Sequence, residues 1–209
     1  MKDASHLGRV RASATLAGAG DARDGVAPAV LVSAHRSWTR LADYVELTKP
    51  RLNLLVVVTS AVGFYLGSRG LTDLTGMAVA SIGTALVAGG AAVLNQVSEC
   101  DTDALMERTR TRPLPAGRLS ATDARAFGVL IAGAGLALLA LGSNLLAALL
   151  ALATLAIYLA VYTPLKRRSP IATLVGAVPG ALPPLIGWTA GHQTASLGGW
   201  TLFAIVFLW

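Results

Sequence analysis

Beyond Leu52 the chain alternates between long uncharged apolar runs and short polar connections. Five runs, near 52–68, 76–97, 126–142, 145–164 and 170–189, contain no Asp, Glu, Lys or Arg. Each is close to the roughly 20 apolar residues that a helix needs to cross the hydrocarbon core of a bilayer. A sixth run, near 198–209, closes the sequence as TLFAIVFLW. Its length gives about 18 Å of helix at about 1.5 Å per residue, against a core about 30 Å thick. A terminal carboxylate at that depth is costly, so this run is expected to be the start of a sixth span in a longer chain. The pattern predicts an all-α fold, a polytopic transmembrane helix bundle with five full spans and a truncated sixth.

The polar segments divide the remainder. Residues 1–35 are rich in Ala, Gly, Ser and Arg and show no sustained apolar period, which predicts a disordered N-terminal tail. Its arginines resemble those of an organelle transit peptide, but Asp3, Asp21 and Asp24 argue against one. The membrane domain is then 36–209. Within 37–48, Trp38, Leu41, Tyr44 and Val45 recur at helical spacing, which predicts a short helix lying at the interface. Pro50 suits the first turn of the following span.

Composition agrees with this reading, with 54% hydrophobic and 13% charged residues, where soluble domains carry about 25% charged. Of the 17 Lys and Arg, all but Arg69 fall on alternate connections. That is the positive-inside pattern with a cytoplasmic N-terminus. It predicts a multi-pass protein of the bacterial plasma membrane, with the mitochondrial inner membrane as the alternative. The formal charge of +6 is thereby a topological signal, with no nucleic-acid partner expected. The single cysteine, Cys100, excludes an internal disulfide framework and a cysteine-rich metal site.

Small residues crowd the second and fifth runs, among them Gly89 to Ala92, Gly176 and Gly180, and Pro179, Pro183 and Pro184 interrupt the fifth. Small residues allow close helix contact and prolines kink helices. A kinked helix also makes room for a bulky ligand.

The candidate chemistry lies in NQVSECDTDALMERTRTRPLPAGRLS, Asn95 to Ser120. On a helix, Asn95, Glu99 and Asp103 fall within roughly 80° of one another, at i, i+4 and i+8. Such an oxygen-rich stripe suits Mg²⁺, which binds through one or two carboxylates and keeps positions for water and phosphate oxygens. Arg108, Arg110, Arg112 and Arg118 follow, and guanidinium forks suit a diphosphate. Basic groups at Lys49 and Arg51, and at Lys166 and Arg167, share the same membrane side. These residues fit two readings: a diphosphate–Mg²⁺ site, or a solvated acidic and basic loop with topological arginines. Asn95 favours the first slightly, because a polar amide ending an apolar run is costly without a task.

ELTKPRLNLL from Glu46, the stretch from Asn95, and YTPLKRRSPIATLVGAVPGALPPLIGW from Tyr162 occur in this order. With them, residues 40–209 resemble the haem branch of the UbiA-type intramembrane prenyltransferase superfamily, the haem O synthases or protohaem IX farnesyltransferases. MERTRTRPL and GALPPLIGW resemble this branch rather than the quinone branches. The resemblance implies that Asn95, Glu99 and Asp103 are catalytic and hold Mg²⁺, with Glu99 where bacterial members usually have Asp. Arg108, Arg112, Lys166 and Arg167 would contact diphosphate, with Lys49 and Arg51 nearby. The implied reaction is transfer of a farnesyl group from farnesyl diphosphate to a vinyl group of haem B, giving haem O. The implied surroundings are the lipid bilayer and, as a candidate partner, haem A synthase.

The family has nine spans, a second acidic motif in a later loop and a histidine-bearing segment after the sixth span begins, whereas this sequence reaches only FLW. Two other readings compete. One is a related prenyltransferase acting on a quinone precursor or a chlorophyll-type ring. The other is a non-catalytic transporter or partner subunit, though transport predicts ionisable residues in mid-span, which these runs lack. His192, in the outer connection, is expected to be solvated.

Overall fold

The computed structural model of the chain describes residues 40–209, so the expected tail at 1–35 lies outside the described residues. Among the described residues every regular element is a helix. They are α1 (40–47), α2 (Pro50–Gly67), α3 (Leu74–Leu105), α4 (Ala121–Gly142), α5 (Leu145–Leu165), α6 (Ala172–His192) and α7 (Leu197–Leu208). Helices α2 to α6 are long and apolar enough to cross a membrane, and α7 is a shorter apolar helix.

Local chemistry sets the boundaries. Lys49 adopts a left-handed conformation, φ 51° and ψ 61°, and Pro50 opens α2. Asp73, Ser120 and Asn144 cap α3, α4 and α5 by accepting from the backbone N–H of Thr75, Asp123 and Ala147, filling donors that a helix start leaves open. Helix α3 runs eight residues past its expected apolar end at 97, because Ser98 to Leu105 continue the helix into polar sequence. Its 32 residues make about 48 Å of helix, longer than the core of about 30 Å. Its last turns therefore stand in the polar layer. Helix α5 contains a π-helical segment, Ile157–Tyr162, that ends two positions before Pro164. Pro164 has no N–H to give and its ring would collide with the carbonyl one turn earlier; the wider π turn relieves both.

The spans pack through small residues. A Cβ added at Gly90 of α3 would lie 2.6 Å from the Gly128 carbonyl oxygen of α4. Gly187 of α6 and Gly63 of α2 face the backbones of Ser60 and Pro184 so closely that neither admits a side chain. Apolar burial does little to hold helices together in lipid, so such backbone approach carries the packing. Phe64, Val87, Leu139, Leu185 and Ile186 fill the interior between these contacts, while Leu54, Leu55, Leu130 and Leu149 point outward, as lipid-facing positions do. Helix α1 is anchored to the basic end of the bundle. Its Leu47 is fully buried with Val93, Leu114 and Leu119, and Gln96 donates to the Leu47 carbonyl at 2.7 Å.

Candidate active site

The projecting end of α3 carries the acidic stripe. Asn95 and Asp103 are buried, and Asp101, on another face, is exposed. Asn95 Nδ2 donates to Glu99 Oε2 at 2.8 Å. Thr163 Oγ1 lies 2.8 Å from both Asn95 Oδ1 and the Tyr158 carbonyl, so its one proton serves two acceptors. The amide of Asn95 is thereby oriented by α5 and in turn orients Glu99. The remaining Glu99 oxygen, Oε1, meets Lys166 Nζ at 2.6 Å and Arg167 Nη2 at 3.9 Å. Asp103 Oδ2 meets Arg112 Nη1 at 2.8 Å.

The chain returns to make these pairs. After Leu105 it turns, with Thr109 Oγ1 donating to the Asp103 carbonyl at 2.7 Å, and this brings Arg112 back over the stripe. Lys49 approaches from the junction of α1 and α2. Burial pushes its ammonium below the ordinary lysine range, and the positive charges of Arg112 and Lys166 add to this, against Asp103 and Glu99. Four cations, Lys49, Arg112, Lys166 and Arg167, thus face two carboxylates. The cluster carries an excess of positive charge, which suits a polyanion.

Other residues expected in the site make no ion pair with Glu99 or Asp103 among the described residues. Arg51 and Arg108 are exposed and make no ion pair or hydrogen bond with the other described residues. Arg118 is used structurally: its Nε donates to Asp43 Oδ1 at 2.9 Å and its Nη1 to the Thr111 carbonyl at 2.8 Å, tying α1 to the loop. Arg110 pairs with Glu107 on the surface. At the opposite end of the bundle, His192 is not simply solvated. Its Nε2 lies 2.8 Å from Arg69 and its Nδ1 3.0 Å from the Gly67 carbonyl. Because arginine only donates and a carbonyl only accepts, the neutral ring carries its proton on Nδ1. Nothing in the sequence pattern singles out Thr163 or Tyr158 as members of the site. The only signal for the first is a hydroxyl beside a proline at the end of an apolar run.

An apolar path and a separate cleft open beside the cluster. An apolar cavity of about 230 Å³ is lined by Lys49, Leu52, Val56, Ala88, Tyr158 and Gly180, among others. A narrower space of about 60 Å³ shares Val56, Ala88 and Pro179 with it and reaches Leu155, Pro183 and Ile186. The helix α6 prolines thus border a path from the charged end into the bundle. On the other side of Tyr158 and Gly176, which line both, lies a cleft of about 570 Å³ between α5 and α6.

The donor set fits Mg²⁺ held jointly with a ligand. Among the described residues no three His, Cys, Asp or Glu groups form a complete metal site. Glu99 and Asp103 match the one or two carboxylates that Mg²⁺ takes when phosphate oxygens and water complete its octahedron. Asn95 would reach such an ion through Oδ1, the atom that Thr163 engages.

The profile of the UbiA prenyltransferase family matches residues 56–209. A protoheme IX farnesyltransferase of Solibacter usitatus is 47% identical over 178 residues, covering 81% of this chain and 61% of that protein. The proteins of the same name from Opitutus terrae and Myxococcus xanthus are each 48% identical, with 57% and 58% of their lengths covered. The chain thus spans about three fifths of the length of these curated relatives. A digeranylgeranylglyceryl phosphate synthase superposes with a TM-score of 0.73 at 20% identity, covering 81% of this chain and 59% of that one. A UbiA homolog from Archaeoglobus fulgidus bound to GPP and Mg²⁺ gives 0.63 at 20% identity, covering 79% and 60%. At that identity the likeness speaks for the fold.

Proposed function

The chain belongs to the UbiA prenyltransferase family, and we propose that it acts in transfer of the farnesyl group of farnesyl diphosphate to a vinyl group of haem B. The observation that carries this reading is the cluster itself: Glu99 and Asp103 beneath four cations, at the mouth of an apolar cavity. The relatives at 47–48% identity, all protoheme IX farnesyltransferases, support haem as the acceptor. The placement of the cluster's cations on one side of the membrane and Arg69 on the other supports a cytoplasmic site in a bacterial plasma membrane.

Arg112, Lys166, Arg167 and Lys49 bind the diphosphate, exchanging carboxylate partners for phosphate oxygens. Glu99, oriented through Asn95 and Thr163, and Asp103 would hold Mg²⁺. When bound, the ion supplies Lewis-acid stabilisation of charge on the leaving diphosphate. As the allylic C–O bond breaks, its electron pair leaves with diphosphate, and the fixed cations meet that growing charge. The walls formed by Val56, Ala88 and Gly180 hold the prenyl tail and exclude water from the allylic carbon. The vinyl π electrons form the new C–C bond. Water then adds to the cation left on the former vinyl group and loses a proton, which leaves a hydroxyl.

The test is purified protein with labelled farnesyl diphosphate, haem B and Mg²⁺. Label is expected in a hydroxyethylfarnesyl haem, lost on chelation with EDTA. Asp103→Asn is expected to lower turnover on the order of 100-fold, as loss of a charge-stabilising group does. Labelled product from 4-hydroxybenzoate, with none from haem, would overturn the acceptor assignment.

A further inference from the structure

The end of the bundle away from the acidic stripe holds a second polar cavity, of about 250 Å³. The segment after α2, the start of α3, the turn between α4 and α5 and the end of α6 form it, and they bring Arg69, Asp73, Ser143 and Gln193 to its lining. Arg69 and Asp73 are opposite charges, yet neither makes an ion pair with another described residue. Arg69 is held instead by His192, whose Nε2 lies 2.8 Å from its Nη2. A guanidinium has five N–H donors, so this contact leaves most of them open to a ligand. Asp73 uses Oδ1 in the α3 cap, accepting from the Thr75 N–H at 3.0 Å. A glycine leaves room beside Oδ2, because a Cβ at Gly76 would lie 2.6 Å from that oxygen. Ser143 Oγ is buried and meets no hydrogen-bond partner among the described residues, which native proteins avoid unless a further group completes the site. The cavity is smaller than the roughly 300–1,000 Å³ of sites for drug-sized ligands. Leu71, in its lining, and Leu74 and Leu141, next to lining residues, are exposed.

We propose that this cavity seats the headgroup of a zwitterionic aminophospholipid, with the phosphate on Arg69 and Ser143 and the ammonium on Asp73. The site stands at the other end of the spans from the diphosphate cluster and does not rest on the haem reading. A simple anion would meet Asp73 as a like charge, and a simple cation would meet Arg69 in the same way. A phosphate joined to an ammonium by a short carbon linker satisfies both at once. The planar guanidinium fork matches phosphate oxygens, and a primary ammonium supplies N–H donors for the free carboxylate oxygen. The position favours a lipid over a free solute. The cavity lies where the spans end, at the level of the polar layer that flanks the hydrocarbon core, and the exposed leucines beside it offer an apolar surface to acyl chains. A headgroup bound there bridges the segment after α2 to the turn between α4 and α5.

The experiment strips lipid from the detergent-solubilised protein and adds phosphatidylethanolamine, phosphatidylcholine and phosphatidylglycerol with identical acyl chains in equal amounts. Native mass spectrometry then measures which lipid is retained. Phosphatidylethanolamine is expected to be retained about tenfold more than either of the others, the worth of one charge-assisted hydrogen bond. Phosphatidylglycerol lacks the ammonium, and the methylated ammonium of phosphatidylcholine has no N–H to give Asp73. Asp73→Asn keeps the α3 cap, since Asn caps as well as Asp, and is expected to bring phosphatidylethanolamine down to the level of phosphatidylglycerol. Arg69→Ala is expected to weaken retention of all three. Unchanged farnesyl diphosphate binding in both variants shows that they are folded. Equal retention of the three lipids by the wild type, or a phosphatidylethanolamine preference that survives Asp73→Asn, overturns the proposal. So does retention unaltered by Arg69→Ala. Tighter retention of phosphatidylglycerol than of phosphatidylethanolamine assigns Arg69 to an anionic lipid and overturns it as well. Glycerophosphoethanolamine, the same headgroup without acyl chains, is expected to compete only weakly; competition at concentrations equal to the lipid's assigns the cavity to a soluble zwitterion instead.

Discussion

Asp43 is buried and its partner Arg118 is half exposed, 12% and 42% by side chain; both ends of the Arg110–Glu107 pair are exposed, 62% and 90%. The two arginines stand eight positions apart in one basic loop, and their worth differs through burial. Exposed ion pairs contribute little, whereas removing one partner of a buried pair leaves an uncompensated charge. Arg118→Ala is therefore expected to lower the thermal midpoint in detergent by several degrees, and Arg110→Ala to leave it unchanged. Equal midpoints would mean that Arg118 does not clamp α1 to the loop. Asn95 shows the same dependence on surroundings. Its cost in an apolar run was visible in sequence, but its bond to Thr163, 68 positions away, was not.

Helix α6 tests packing at the scale of an element. Gly187 faces the Ser60 backbone of α2, while an added Cβ at Gly180 would meet nothing within 4 Å. The same substitution at these two positions is expected to act in opposite ways. Gly187→Leu separates α2 from α6, and loss of the monodisperse peak in size-exclusion chromatography reports it. Gly180→Leu is expected to retain the wild-type midpoint and to weaken farnesyl diphosphate binding by filling the cavity it lines. A stable Gly187→Leu, or unaltered prenyl binding in Gly180→Leu, would count against this assignment of the helix faces. The abundance of glycine in this run was plain in sequence, but which glycines are contacts and which are space was not. That division depends on the neighbouring helix.

Across the whole molecule, the polar cluster and Arg69 lie at opposite ends of the spans. In a Cys100→Ser background, Leu71→Cys is expected to react with an impermeant maleimide in intact cells. Ala116→Cys is expected to react only after the membrane is opened. Both sites are exposed, so access to the reagent depends on sidedness. The reverse labelling would invert the orientation and place the diphosphate site outside.

The sequence by itself determined what depends on local period and composition. Uncharged runs of span length located α2 to α6, the distribution of basic residues marked one side, and a spacing of four placed Asn95, Glu99 and Asp103 on one face of α3. It did not determine which cations join that face. Lys49, Arg112, Lys166 and Arg167 come from three separate segments, and they converge only because α1, α3 and α5 end at the same level. Arg51 and Arg108, equally basic and equally close in sequence, are exposed and pair with neither carboxylate. The apolar path likewise belongs to no single run, because it is the space left between α2, α3, α5 and a proline-bearing α6. Helical periodicity is a property of neighbours along the chain, whereas convergence and cavities are properties of packed backbones. The acidic half of the site was therefore legible, and its cationic half and its cavity were settled by the tertiary structure.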